Sequence, residues 1–289
     1  MTLFLQNLVN GLLLGGLYVC IAIGFSLIWG VLNIINILHG SLIILGSYFA
    51  FYAFTYFGIS PFLAPFFVIP VMFLFGYALQ LAVLNRVVGK PVLITMTLTF
   101  GLELIVNNLM LYAFTASFRR IVFPEPFENV ELLGIIIPMD RILAMILALL
   151  LTLLLYLLLR MSRTGRAIVA VRADRDAALL MGVNVEKIYA VTFGIGSAFA
   201  AAAGCLLAII FPISPAASVV YLAKAFVICV LGGLGSIGGA LVGGLALGVI
   251  ESMGVMVAGP EHSTLIGFLV LIIVLIIKPT GLVGRKGYE

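Results

Sequence analysis

Long apolar stretches alternate with short polar ones along this chain. They run over roughly 8–29, 34–57, 61–84, 92–115, 139–159 and 189–211, then a glycine-interrupted region over 222–258, then 264–277. Each uninterrupted stretch can cross the ~30 Å hydrocarbon core of a bilayer as a helix rising 1.5 Å per residue. The pattern predicts an all-α membrane protein: a polytopic bundle of about eight transmembrane helices forming a single domain over 1–289. Within 222–258 the run Gly232-Gly-Leu-Gly-Ser-Ile-Gly-Gly239 interrupts the apolar pattern. Two short passes or a re-entrant dip meeting there are expected, because non-helical backbone at depth survives only under a cover of protein or beside a water-filled cavity.

The conspicuous polar stretch is 160–187, which carries six Arg or Lys and three Asp or Glu. A basic side chain at the centre of a membrane helix costs about 2.5–3.5 kcal/mol, so this stretch lies in water. The loop Asn85-Arg86-Val-Val-Gly-Lys90 is also basic, as is the tail with Lys278, Arg285, Lys286 and Glu289. The longer loop 116–138, with Pro124, Pro126 and Pro138, sets Arg119 and Arg120 against Glu125, Glu128 and Glu131. Placing the basic segments inside puts the N-terminus outside and 160–188 in the cytoplasm. The tail then comes out inside only if 222–258 crosses an even number of times.

Composition agrees. Apolar residues make up 64% of the chain and charged residues 9%, against about 25% charged in soluble domains. Mean hydropathy is +1.33. The net charge of +4 follows from basic loops on one side of a membrane and calls for no nucleic acid. Cys20, Cys205 and Cys229 lie in apolar runs without a CxxC pair or a nearby His, so they read as small core residues rather than a redox or metal site. The N-terminus lacks a positive n-region and a small-residue cleavage pattern, so the first span is expected to stay.

Candidate chemistry is sparse. Gly233-x-Gly235-x-x-Gly238 matches the dinucleotide fingerprint formally but lies between membrane spans, not in a βαβ unit. Gly239, Gly243, Gly244 and Gly248 continue at a spacing that lets helix backbones approach closely. No Walker-type phosphate loop, HExxH or GxSxG is present, and no enzyme, metal site or resident cofactor is expected. Ionisable residues inside spans are functional hypotheses by default. Glu103 lies deepest, with Asn107 one helical turn on and Thr95, Thr97 and Thr99 before it; a structural pairing is the alternative. His39 is expected to share a helical face with Asn36 and to form with Ser41 an interhelical hydrogen-bond node or a substrate contact. Lys224 and Glu251 bracket the broken region. The candidate substrate pathway is therefore Asn36, His39, Ser41, Glu103, Asn107, Gly233, Gly235 and Ser236.

Within the wet stretch, Asp174 is a good N-cap, Asp176 favours a helix N-terminus, Ala177-Ala-Leu-Leu-Met181 is strongly helix-forming, and Gly182 suits a C′ position. A helix of one to two turns is predicted, with a separate helix over Gly165–Arg172. Ala177, Leu180 and Met181 would face outward, suited to a groove on a soluble partner or to a lipid surface.

The segments Gly165-Arg166-Ala167, Ala173-Asp174, Ala177-Ala178 and Met181-Gly182-Val183 resemble the cytoplasmic loop of permease subunits of branched-chain amino-acid ABC importers, the LivH type above all. Gly11-Leu-Leu-Leu-Gly-Gly-Leu-Tyr18, Asn33-Ile-Ile-Asn36, His39-Gly40, Lys224-Ala-Phe, Leu231-Gly-Gly-Leu-Gly-Ser236, Glu251-Ser252 and Lys278-Pro279-Thr-Gly281 extend the likeness over nearly the whole chain. Leu38 and Lys278 depart from the family pattern, and Glu103 lies outside it. The resemblance implies a multi-pass bacterial inner-membrane permease. Its partners would be a second related permease subunit, two ABC ATPase subunits and a solute-binding protein, with the lipid bilayer around it. ATP and Mg would be held on the ATPases and no cofactor on this chain. Coupling falls to Gly165, Arg166, Arg172, Asp174, Arg175, Ala177, Ala178, Met181 and Gly182. The expected cargo is a branched-chain or other small amino acid. Urea or a short amide is the alternative, and a stand-alone channel or secondary transporter is a further one that would need paired intramembrane charges or an ion site at broken helices.

Overall fold

The computed structural model describes residues 2–123, 128–132 and 134–283. The chain runs α1 (Thr2–Leu32), α2 (His39–Phe57), α3 (Ala64–Ala82), α4 (Val92–Phe114), a hairpin of β1 (Asn129–Leu132) and β2 (Ile135–Pro138), α5 (Met139–Met161), α6 (Arg163–Ala173), α7 (Arg175–Leu180), α8 (Val185–Ile210), α9 (Ser218–Gly232), α10 (Ile237–Ala258) and α11 (Ser263–Ile277). Eight of the helices are long and apolar enough to cross a membrane, counting α9 with the turn before it. The last, α11, is apolar but shorter. Pro124, Glu125, Pro126, Arg285, Lys286 and Glu289 lie outside the described residues.

Helices α1 and α8 form the axis and are buried along nearly their whole length, whereas α3, α4 and α5 leave much of theirs exposed. Small residues make that axis possible. In lipid no hydrophobic gain drives apolar helices together, so close backbone approach and packing do the work. Gly15 of α1 rests on the backbone of Leu245, and Gly248 of α10 rests in turn on Gly15. Gly204 of α8 sits on the Ile43 carbonyl of α2, where Ser47 also donates its hydroxyl to the Gly204 carbonyl at 2.7 Å. A β-carbon at either glycine would collide with backbone, which cannot move aside cheaply.

Contacts between loops sort the chain ends. Gln6 clasps the hairpin through both amide atoms, donating to the Ile136 carbonyl at 2.7 Å and accepting from the Ile136 N–H at 2.9 Å. Arg119, after α4, pairs backbone to backbone with Ile213, after α8. At the opposite end, Gly89 approaches Arg175, Gly235 approaches Arg172, and the Leu282 and Val283 N–H groups bond the Leu231 and Gly232 carbonyls. The basic segments thus share one end of the bundle, as the charge bias requires, and the N-terminus shares the other with the hairpin.

Two breaks interrupt the spans where one was expected. The glycine break is present as Gly233–Ser236 between α9 and α10. The second falls at 33–38, inside the predicted span 34–57: α2 begins only at His39. His39 Nε2 meets the Ile21 carbonyl at 2.9 Å. Ile21 lies eleven residues before the end of α1, so α2 starts about 16 Å up from that end. Asn33, with φ of +52°, opens this extended segment. The Thr99 hydroxyl of α4 serves it twice, donating to the Ile35 carbonyl at 2.9 Å and accepting from the Ile37 N–H at 3.3 Å. Asn36 therefore sits in extended chain and does not share a helical face with His39.

This arrangement predicts the labelling of introduced cysteines, since Cys20, Cys205 and Cys229 are all buried. Glu131→Cys should react with a membrane-impermeant maleimide in intact spheroplasts. Leu180→Cys should react only after permeabilisation, and the reverse pattern would contradict the orientation.

Candidate functional site

Two surfaces hold the residues singled out by sequence. The first is the loop at the basic end. Ser162 caps α6 by accepting from the Gly165 N–H at 2.8 Å. Asp174 caps α7, one carboxylate oxygen accepting from the N–H groups of Asp176 and Ala177 at 2.9 Å each. The far end of α7 closes with Gly182 N–H on the Leu179 carbonyl and Val183 N–H on the Ala178 carbonyl. Gly182 has φ of +81° there, a conformation that disfavours a side chain. So a six-residue helix is pinned at both ends and holds Leu180 and Met181 in the open, 87% and 84% exposed. Leu179 joins them, a residue the sequence pattern left out. Ala177, Asp174, Arg175 and Arg166 are exposed, Arg172 is half-buried, and Arg172 and Arg166 line a cleft of about 400 Å³ with Arg160. Gly165 and Ala178 are buried. Gly165 packs on the backbone of Leu159, so these two shape the loop and present nothing outward.

The second surface lies midway along the bundle. Glu103 is the middle residue of α4 and only 6% exposed. Its Oε1 accepts from Asn107 Nδ2 at 3.0 Å, from the Ser41 hydroxyl at 3.4 Å and from the Ser218 hydroxyl at 3.5 Å. Asn107 Nδ2 also donates to Ser218 at 3.2 Å. Ser41 is in the first turn of α2 and Ser218 opens α9, so two helices that begin at depth turn their N-termini toward one carboxylate. Gly40 is in contact with the Ser218 carbonyl, and that contact holds the two N-termini together. A helix N-terminus carries partial positive charge and favours an adjacent anion. Sequence reasoning found Ser41, Glu103 and Asn107. It missed Ser218, whose only sequence signal is its place at a helix start after Pro215.

The remaining pathway candidates do not join this cluster. His39 is fully buried, with its ring edge-on to Phe25 at 5.4 Å and Nε2 on the α1 backbone. It is an interhelical node. Asn36 is fully enclosed with neither amide atom hydrogen-bonded. Gly233, Gly235 and Ser236 form the turn between α9 and α10 at the basic end. There Gly235 packs on Gly30, and Ser236 caps α10 by accepting from the Gly239 N–H at 3.1 Å.

Lys224 and Glu251 flank the glycine break in sequence and meet in the interior. Lys224 Nζ lies 2.7 Å from Glu251 Oε2, with both side chains about nine-tenths buried. The Tyr18 hydroxyl donates to the same oxygen at 2.6 Å, and Lys224 also bonds Tyr18. The triad ties α1, α9 and α10 together across the break. Tyr18 carried no sequence signal beyond being a polar aromatic within an apolar run.

The model of the family described as "Branched-chain amino acid transport system / permease component" matches residues 7–275. The chain is 35% identical to the high-affinity branched-chain amino acid transport system permease protein BraD of Pseudomonas aeruginosa, over 99% of this chain and 97% of that protein. It is 33% identical to the high-affinity permease protein LivH of Escherichia coli K12, with the same coverage. A probable LivH of Methanocaldococcus jannaschii is 28% identical over 95% of this chain and 91% of that one. No solved structure matches the chain.

Removing one partner of a buried ion pair strands the other charge, at a cost of about 3–5 kcal/mol. Glu251→Leu or Lys224→Met alone should therefore lower the unfolding midpoint in detergent sharply. The double variant should recover most of the loss, which a thermal melt of the three variants would check.

Proposed function

Because the chain belongs to the permease component family of branched-chain amino acid transport systems, we propose that it is the membrane subunit that passes branched-chain amino acids inward in an ATP-driven importer. The chain is a multi-pass inner-membrane permease. The finer reading is as follows: it pairs with a second related permease subunit, two ABC ATPases dock on its basic end, and a solute-binding protein delivers cargo at the hairpin end. ATP and Mg are held by the ATPases, consistent with a sequence that offers no Walker-type loop.

The observation that carries this reading is α7. A helix of six residues is too short to persist on its own. It is held by an Asp cap, contributing about 1 kcal/mol, and by a glycine-closed C-terminus, and it rests on α6 and α8 through the buried Ala178. Beyond the exposed Arg175 and Asp176 of its first turn, its C-terminal end displays an apolar tip: Leu179, Leu180 and Met181. A rigid short helix with an apolar tip seats in a groove of a soluble partner. Because α6 packs on the end of α5 and α7 leads directly into the buried α8, a push on α7 is delivered to the bundle axis as a rigid-body movement. No covalent chemistry is required of this chain.

Gly182→Pro removes the N–H that bonds the Leu179 carbonyl and forbids the +81° φ. The variant should insert at wild-type levels, yet lose at least tenfold of both uptake and binding-protein-stimulated ATP hydrolysis in proteoliposomes of the full complex. Charge reversal at Asp174 and Arg175 should act the same way. Unchanged stimulated hydrolysis in these variants would sink the coupling role of α7.

A further inference from the structure

The two intramembrane carboxylates of this chain are treated very differently. Glu251 is met by an ammonium group and a phenol, Lys224 at 2.7 Å and Tyr18 at 2.6 Å. Among the described residues Glu103 is met by neutral donors alone, and all of them go to one oxygen: Ser41, Asn107 and Ser218 bond Oε1, while Oε2 receives no donor. A carboxylate offers about four lone-pair positions over its two oxygens. Half of this one is unused.

One turn further along α4 is a second acceptor without a donor. Asn107 directs Nδ2 to Glu103 and Ser218, which fixes the amide with Oδ1 on the other side. That Oδ1 is enclosed and has no hydrogen-bond partner. Residues at i and i+4 are neighbours on one helical face, so the two residues that carry these acceptors are neighbours. Buried acceptors are normally satisfied, and unsatisfied ones need a reason. Lys224, the lysine buried among these spans, is already committed to Glu251.

We infer that Glu103 Oε2 and Asn107 Oδ1 are an acceptor pair for the α-ammonium group of a substrate in transit. This rests on the reading of the cargo as an amino acid. An ammonium group brings three N–H donors and a positive charge, so it supplies in one group the donors and the charge that the site lacks. A neutral amide such as urea supplies donors without the charge. The site therefore selects zwitterionic amino acids over short neutral amides, a selection made inside the membrane after the binding protein has made its own. The apolar side chain of the cargo contributes nothing to this step, so leucine, isoleucine and valine are treated alike.

The test uses the full complex in proteoliposomes with its binding protein, in wild-type, Glu103→Gln and Glu103→Asp forms. Uptake of radiolabelled leucine and the yield of assembled complex are both read. Glu103→Gln keeps the size of the side chain and removes the charge. It should assemble in wild-type yield and lose at least tenfold of leucine uptake, with Glu103→Asp returning to within about threefold of wild type. Uptake by Glu103→Gln within twofold of wild type overturns the inference. So does loss of assembly in both variants, which makes Glu103 a structural post, and so does release of the second permease subunit, which makes it half of an ion pair between subunits. A wild-type complex that takes up no branched-chain amino acid overturns the reading of the cargo instead, before any variant is compared.

Discussion

Inside hydrocarbon every backbone donor, acceptor and charge has to be met by the protein itself, because each one left unmet costs several kcal/mol. This chain breaks one span at depth, at 33–38, and puts two carboxylates there, so most of its distinctive features are answers to that one constraint. Thr99 exists where it does because the extended segment 33–38 exposes a carbonyl and an N–H at its level. Tyr18 and Lys224 answer Glu251. Glycine and alanine along α1, α8 and α10 bring the helices close enough for these short contacts to form.

The same constraint shows where the structure permits motion and where it does not. The axis of α1, α8 and α10 is locked by backbone-to-backbone packing, and the Tyr18–Lys224–Glu251 triad joins it to α9. Helix α4 is different. It is exposed along most of its length, and its inner side combines the polar Thr99, Glu103 and Asn107 with the buried Met110 and with Phe114 stacked on Tyr48. Polar contacts can be exchanged for others of similar energy, whereas a packed glycine seam cannot. At the basic end, α7 is held as a projection by caps at both its ends.

The relation between the two surfaces gives the molecule its logic. Helix α7 and the polar cluster share no residue, and α8 runs from just after α7 into the centre of the bundle, where it packs against α2. Ser41 is on α2, in its first turn. Two helices, α8 and α2, thus lie between α7 and one member of the Glu103 cluster.

What could be read from the chain alone was whatever depends on local composition. Apolar runs of membrane length, basic loops on one side, the Asp174 cap and the Gly182 terminus are each decided by residues near one another in sequence, and all appear in the fold. Glu103 and Asn107 were visible for the same reason, being one turn apart. Tertiary structure decided what depends on distant residues meeting. Periodicity cannot show that a segment as apolar as 34–38 lies outside any helix, because part of its backbone is satisfied by a threonine more than sixty residues away. Nor could it show that Lys224 belongs to Glu251, that Ser218 belongs to Glu103, or that Gly165 and Ala178 face inward. Apolarity is a property of a segment, but partnership between polar groups is a property of the packing, and in a membrane it is the partnerships that carry the chemistry.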